Sequence, residues 1–149
     1  MLTELSNTNA LTFPCDAIAH GVNMRGAMAG GIAYQIAKMY PEAEKEYMWY
    51  CKWDLVALGG CLSIGINDDK DQGPYTLYNL FTQVEAGADA RLDALERSLE
   101  SMKEEAAVLG VKDIAMPRIG CGIGGLQWDD VRPIMLKMSE GYNFIVCTI

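Results

Sequence analysis

The 149-residue chain carries a single histidine, His20, which leaves no material for a zinc site built on imidazoles. Its five cysteines, Cys15, Cys51, Cys61, Cys121 and Cys147, are odd in number and far apart. They make neither a disulfide framework nor a CxxC metal pattern, so reduced thiols in a cytoplasmic protein are expected. No cluster of Asp and Glu points to magnesium, and no metal or cofactor is expected. Basic residues are also scarce: 12 Lys and Arg face 20 Asp and Glu, for a net charge of −8. These cations are scattered, and a polyanion that meets no local basic patch is repelled, which argues against nonspecific nucleic-acid binding. Apolar runs of membrane-spanning length and a leader-peptide pattern are missing, so no membrane partner is expected. No repeat, low-complexity tract or linker divides the chain, which reads as a single domain over residues 1–149 acting as a monomer.

What is present is an alternation of apolar runs and amphipathic ones. DAIAHGVN, Asp16 to Asn23, reads as a buried strand. In IAYQIAKMY, Ile32 to Tyr40, the residues Ile32, Ile36 and Met39 recur at helical spacing. Pro41 ends that helix, and PEAEKEYMWYCKW reads as a second one. CLSIGI and YTLYNLFTQ flank the polar turn NDDKDQGP and pair as a hairpin. A long helix follows, N-capped by Asp89 and ended by Gly110, with Leu92, Leu95, Leu99, Met102 and Ala106 along one face. VKDIAMP is another buried strand, a helix runs from Asp129 to about Met138, and YNFIVCTI is the final strand. Strands alternating with helices predict an α/β fold with helices on both faces of a largely parallel sheet, which the hairpin makes mixed.

Two stretches are unusually bare of side chains. RIGCGIGGLQWDD, Arg118 to Asp130, has four glycines between Gly120 and Gly125, and GAMAGG spans Gly26 to Gly31. Each leaves a buried strand and enters a helix, which is where open α/β sheets bind ligands. Glycine lets a ligand approach the main chain, and successive amides with a helix N-terminus behind them cradle anions. Two such cradles suit a diphosphate better than one phosphate. Gly26, Gly30 and Gly31 do not form GxGxxG, and no GK[ST] follows either loop, so a dinucleotide Rossmann site and a P-loop are both unsupported.

DAIAHGVN followed by GAMAGGIA, YNLFTQ and MPRIGCGIGGLQWDDV resembles the macro domain family, over about Asn9 to Ile149. More narrowly, it resembles the branch of ADP-ribose-1″-phosphate phosphatases and terminal ADP-ribose–protein glycohydrolases. The resemblance implies a three-layer α/β/α macro-domain fold with a mixed central sheet. It further implies a hydrolase that binds ADP-ribose or an ADP-ribosylated substrate, the alternative being a non-catalytic ADP-ribose-binding module. Carried over by motif, Gly26, Gly30, Gly31 and Ile32 form the first ligand-binding loop. Ile119, Gly120, Cys121, Gly122, Ile123 and Gly124 form the second, and together the loops grip the diphosphate and distal ribose. Asn23 faces the distal ribose, with Thr82 and Gln83 near it. Asn9 stands where the family commonly has an aspartate that reads the adenine amino group, and it lacks that charge.

Glycohydrolases of this branch carry a lysine on the NLFTQ strand, which attacks the ribose, and an assisting aspartate in the second loop. Gln83 and Gly124 occupy those positions here, so a covalent lysine mechanism is not expected. The leaving group, whether phosphate, protein or nucleic acid, stays open at this stage. His20 is the remaining catalytic candidate, since an imidazole beside the loops activates water or contacts a terminal phosphate near neutral pH. Its alternative is a half-buried ring satisfied by a backbone carbonyl. Cys121 sits among amides that favour thiolate, although a structural role is the plainer reading. Trp53 and Trp128 read as core or rim, and residues near Phe144 and the final strand are expected beside the adenine.

Overall fold

The computed structural model describes residues 1–149 and contains β1 (Leu2–Leu5), β2 (Ala17–Val22), α1 (Gly31–Met39), α2 (Pro41–Lys52), β3 (Cys61–Gly65), β4 (Thr76–Phe81), α3 (Leu92–Leu109), β5 (Asp113–Met116), α4 (Trp128–Met138) and β6 (Asn143–Cys147). The strands form one six-stranded sheet in the order β1-β6-β5-β2-β4-β3. All neighbours are parallel except the β3–β4 hairpin, so the sheet is mixed. Alternate residues of the central strands serve opposite faces, as the period of two requires. Ala17 and Ala19 of β2 join Leu95, Leu99 and Met102 of α3 and Val131 and Met135 of α4. Ile18 and Val22 of the same strand join Ile36 of α1 and Ala43 and Tyr47 of α2. Three layers, helix–sheet–helix, follow from that division.

Most elements lie where periodicity placed them, and two readings need correcting. The edge strand β1 was not expected: LTEL is short and half-exposed, and only its parallel pairing to β6, from Leu2↔Phe144 to Leu5↔Cys147, makes it a strand. Asp89 does not cap α3, which begins at Leu92 after Arg91 and has no side-chain cap. The Asp89 carboxylate instead accepts the amides of Val84 and Glu85, each at 3.0 Å, closing the turn after β4. Short acidic side chains make such local turns in competition with helix capping. Gly110 does end α3, in the left-handed conformation at φ 72°.

The topology also positions a crevice. β2 and β5 are adjacent and parallel, but β2 leads into α1 and α2 on one face while β5 leads into α4 on the other. Their carboxyl-terminal loops diverge there, and open α/β sheets bind ligands at such a switch point. No helix is long and apolar enough to cross a membrane.

Candidate functional site

A cleft of about 940 Å³ lies at this switch point, lined by 31 residues. Its volume suits a small organic ligand. One wall is the start of α1. Gly30, its N-cap, is extended and offers no side-chain cap, and the first helical bond is the amide of Tyr34 to the Gly30 carbonyl at 3.3 Å. The amides of Gly31, Ile32 and Ala33 therefore have no acceptor in the chain, as expected at an uncapped N-terminus.

The opposite wall is the loop after β5. It closes through the amides of Cys121 to Arg118 O (3.1 Å), Gly125 to Gly122 O (3.3 Å) and Leu126 to Gly120 O (2.8 Å). Those turns leave the amides of Gly122, Ile123 and Gly124 unpaired and beside the cleft. Unpaired amides on both sides, with a helix N-terminus behind one set, make a two-sided anion cradle. Ile123 bridges the mouth: its Cδ1 lies 2.8 Å from where a Cβ on Gly30 would stand. Gly124 is held still more tightly, since a Cβ there would meet the Gly120 carbonyl oxygen at 2.7 Å.

The polar side chains expected here organise the loops themselves. Asn23 donates from Nδ2 to Ala27 O (3.0 Å), while its Oδ1 accepts the amides of Arg25 (2.9 Å) and Ala27 (3.3 Å) and the Tyr47 hydroxyl (3.1 Å). One amide hydrogen of Asn23 remains for a ligand. Gln83 uses both Nε2 hydrogens, on Glu85 O (2.7 Å) and Gly87 O (2.8 Å), so it braces the turn after β4 and offers only its carbonyl. Asn9 also lines the cleft, with its Oδ1 accepting the Leu11 amide at 3.0 Å. Its free group is then the Nδ2 donor, where a carboxylate would offer acceptors alone.

Of the expected site residues, Asn9, Asn23, Gly30, Gly31, Ile32, Gln83 and every residue from Ile119 to Gly124 line the cleft, while Gly26 and His20 do not. Gly26 faces away from it: with φ at +76°, its missing Cβ points at Cys51 of α2, 3.5 Å off. His20 is fully buried in β2, opposite Asn79 of β4. Asn79 donates its Nδ2 to Leu62 O at 3.1 Å, so its Oδ1 faces the ring and His20 Nε2–H donates to it at 2.7 Å. The other ring nitrogen has no hydrogen-bond partner. Burial lowers the His20 pKa to about 4, with the Asn79 bond opposing. An imidazole that is neutral and shut off from the cleft is not a catalyst for a ligand held there. The sequence reading placed it beside the loops because β2 ends there, but His20 lies two residues before that end, where both faces of the strand are covered by helices, and only Gly21 and Val22 reach the cleft.

No Asp, Glu, Lys, His or Tyr lines the cleft; Arg118 is its one charged side chain, and no group of His, Cys, Asp and Glu is assembled for a metal. Burial raises the Cys121 pKa against the pull of Arg118, so the thiol stays protonated at neutral pH. Sequence reasoning missed Arg118 as a site residue, although it opens the glycine-rich loop. It lies over the ring of Trp128, 5.0 Å from the centroid, and Trp128 donates to Glu4 of β1 at 3.2 Å. Trp128 is thus a rim residue, as one of the two expectations held, and Trp53 is exposed. Phe144 is buried under α3 and α4 and does not reach the cleft; Cys147, at the end of the same strand, and Thr148 just after it do.

A family model described as the macro domain matches residues 19–135. An ADP-ribose 1″-phosphate phosphatase of Lodderomyces elongisporus is 30% identical over 145 residues, covering 92% of this chain and 89% of that protein. A DNA ADP-ribosyl glycohydrolase of Thermus aquaticus is 28% identical over 89% of this chain, which spans only 36% of that relative's length. Among solved structures, the macrodomain of Mycobacterium tuberculosis DarG superposes with a TM-score of 0.90 at 26% identity, covering 99% of this chain and 97% of that one.

Proposed function

Because the chain belongs to the macro domain family, we propose that it binds ADP-ribose in this cleft and hydrolyses an ADP-ribose derivative. The bond cut is that to a 1″-phosphate or to a modified macromolecule, and no lysine–aspartate pair takes part. The observation that carries the binding is the pair of facing walls of unpaired amides, Gly31 to Ala33 on one side and Gly122 to Gly124 on the other. A diphosphate between them meets donors on both flanks without needing a cationic side chain, which suits an acidic protein. Asn23 and Gln83 then stand at the distal ribose, with Asn9, Cys147 and Thr148 toward the base. Residues 1–149 act in this reading as one monomeric macro domain in the cytoplasm.

Turnover is supported by relatives named for hydrolysis of ADP-ribose derivatives. With no Asp, Glu, Lys or His side chain lining the cleft, the chemistry is attack by water assisted by the substrate's own phosphate or hydroxyl groups. The amides stabilise charge as it develops on the phosphate oxygens. The same acid-free lining favours the second reading, a non-catalytic ADP-ribose-binding module. Calorimetry with ADP-ribose, followed by product release from ADP-ribose-1″-phosphate, ADP-ribosylated protein and ADP-ribosylated oligonucleotide, separates the two. Binding with turnover of one substrate is expected; binding with none establishes the reader, and no binding overturns both.

A further inference from the structure

The loop Asn23–Ala27 has two sides. Asn23 and Ala27 line the cleft, while Met24 and Arg25 line a separate recess of about 500 Å³ against the outer face of α2. That face presents Lys45, Met48, Trp49 and Lys52, at i, i+3, i+4 and i+7, which is one stripe of a helix. Three cations and a tryptophan line the recess and no carboxylate does, in a chain whose acids outnumber its bases by 20 to 12. Trp49 is 52% exposed, and Trp53, one turn on, is 58% exposed beneath the Lys52 ammonium. Neither ring belongs to the core: α2 packs on the sheet through Ala43 and Tyr47, while Trp49 meets its helix neighbour Tyr50 edge-on, ring centroids 5.2 Å apart, and keeps its exposed face.

Exposed aromatic faces among cations are how single-stranded nucleic acids are held without sequence preference: bases stack while ammonium and guanidinium groups take the phosphates. We propose that the recess is a second binding site, for the nucleotides of a single-stranded nucleic acid whose ADP-ribose group occupies the cleft. The inference rests on the functional reading above and narrows its substrate class. Arg25 and Lys45 now pair with Glu85 and Glu42. Both pairs are solvent-exposed, so a phosphate displaces the carboxylates at little cost. The site is local, which reconciles it with a net charge that opposes general nucleic-acid binding. A peptide carrying ADP-ribose lacks the regular alternation of phosphates and bases that such a stripe matches.

The test compares free ADP-ribose, an ADP-ribosylated single-stranded oligonucleotide of DNA or RNA, an ADP-ribosylated peptide and the unmodified oligonucleotides. Binding is followed by anisotropy or calorimetry and by tryptophan fluorescence. The modified oligonucleotide is expected to bind about tenfold tighter than free ADP-ribose, the increment of roughly one stacked base with its phosphates. Its logarithmic affinity should fall with log salt with a slope of about −2, as for three phosphate contacts. Trp49→Ala and the double variant Lys45→Glu with Lys52→Glu should abolish that increment and leave free ADP-ribose affinity unchanged. Equal affinity for free and oligonucleotide-linked ADP-ribose overturns the proposal. So does an equal gain for the peptide, or Trp49-dependent self-association in place of the oligonucleotide increment. If ADP-ribose does not bind at all, the functional reading fails by itself. The recess is then judged by salt-sensitive quenching of Trp49 by the unmodified strand, and absence of quenching in wild type overturns it too.

Discussion

At the scale of single residues, the glycines of the second loop are not equivalent. A Cβ on Gly122 meets nothing within 4 Å, so Gly122→Glu should fold normally and place a carboxylate among the amides that await a phosphate. ADP-ribose affinity is expected to fall by about a hundredfold or more, several times the effect of one lost hydrogen bond, while the melting temperature stays put. Unchanged affinity in calorimetry would remove the cradle from the account. Gly124 behaves oppositely. An aspartate there requires the loop to shift, because its Cβ would stand 2.7 Å from Gly120 O and 2.9 Å from the Ala90 methyl. Gly124→Asp combined with Gln83→Lys should cost about 1–3 kcal/mol in denaturant unfolding and yield no covalent lysine adduct by mass spectrometry. His20 is tested by pH. Its folded pKa of about 4 lies below the ordinary value of 6.5, so both states are neutral above 6.5 and the ring then takes nothing from stability. As pH falls from 6.5 toward 4 the unfolded chain binds a proton that the folded one refuses, and stability drops by about 3 kcal/mol. Denaturant unfolding across that window should show the loss in wild type and not in His20→Gln, with ADP-ribose binding unaffected by the substitution.

At the scale of elements, the loop after β2 depends on one side chain. Asn23→Ala removes the bonds to Ala27 O, to two backbone amides and to the Tyr47 hydroxyl, which also donates to Asn23 O at 2.6 Å. A loss of about 2 kcal/mol in stability and roughly tenfold in ADP-ribose affinity is expected, since buried donors are left unpaired and the wall formed by α1 is no longer anchored. Normal affinity in that variant would assign the loop's shape to its glycines alone. The helices were legible in the sequence wherever one stripe was apolar: of the face expected on α3, Leu95, Leu99, Met102 and Ala106 are fully buried, while Leu92, in its first turn, stays exposed. Helix starts were less legible. Asp89 looked like a cap for α3 but binds the Val84 and Glu85 amides, because the turn after β4 brings those donors closer than the helix does. β1 was invisible, since four half-exposed residues have no periodicity long enough to measure and gain strand identity only from β6.

For the whole molecule, the cleft joins the segments that follow five strands, β1, β2, β4, β5 and β6, so ligand binding should stabilise all of it together. With free ADP-ribose at a hundredfold excess over Kd, mass action adds about 2.7 kcal/mol, or roughly 5–10 °C in melting temperature for a domain of this size. A thermal scan with no shift at saturating ligand would contradict the proposed site. The sequence by itself determined the alternation of elements, the mixed three-layer fold and the two amide-rich loops, because those follow from hydrophobic period and from where side chains are missing. It also showed that Gln83 and Gly124 themselves offer neither a nucleophile nor an acid. Only the tertiary structure decided which way each residue faces. Pairing with Asn79 inside the sheet keeps His20 in the core, packing against α2 turns Gly26 away from the cleft, and the arrival of β1 fixes Trp128 at its rim. Those outcomes depend on contacts between residues about 25 to 124 positions apart, and no local pattern in a single chain encodes them.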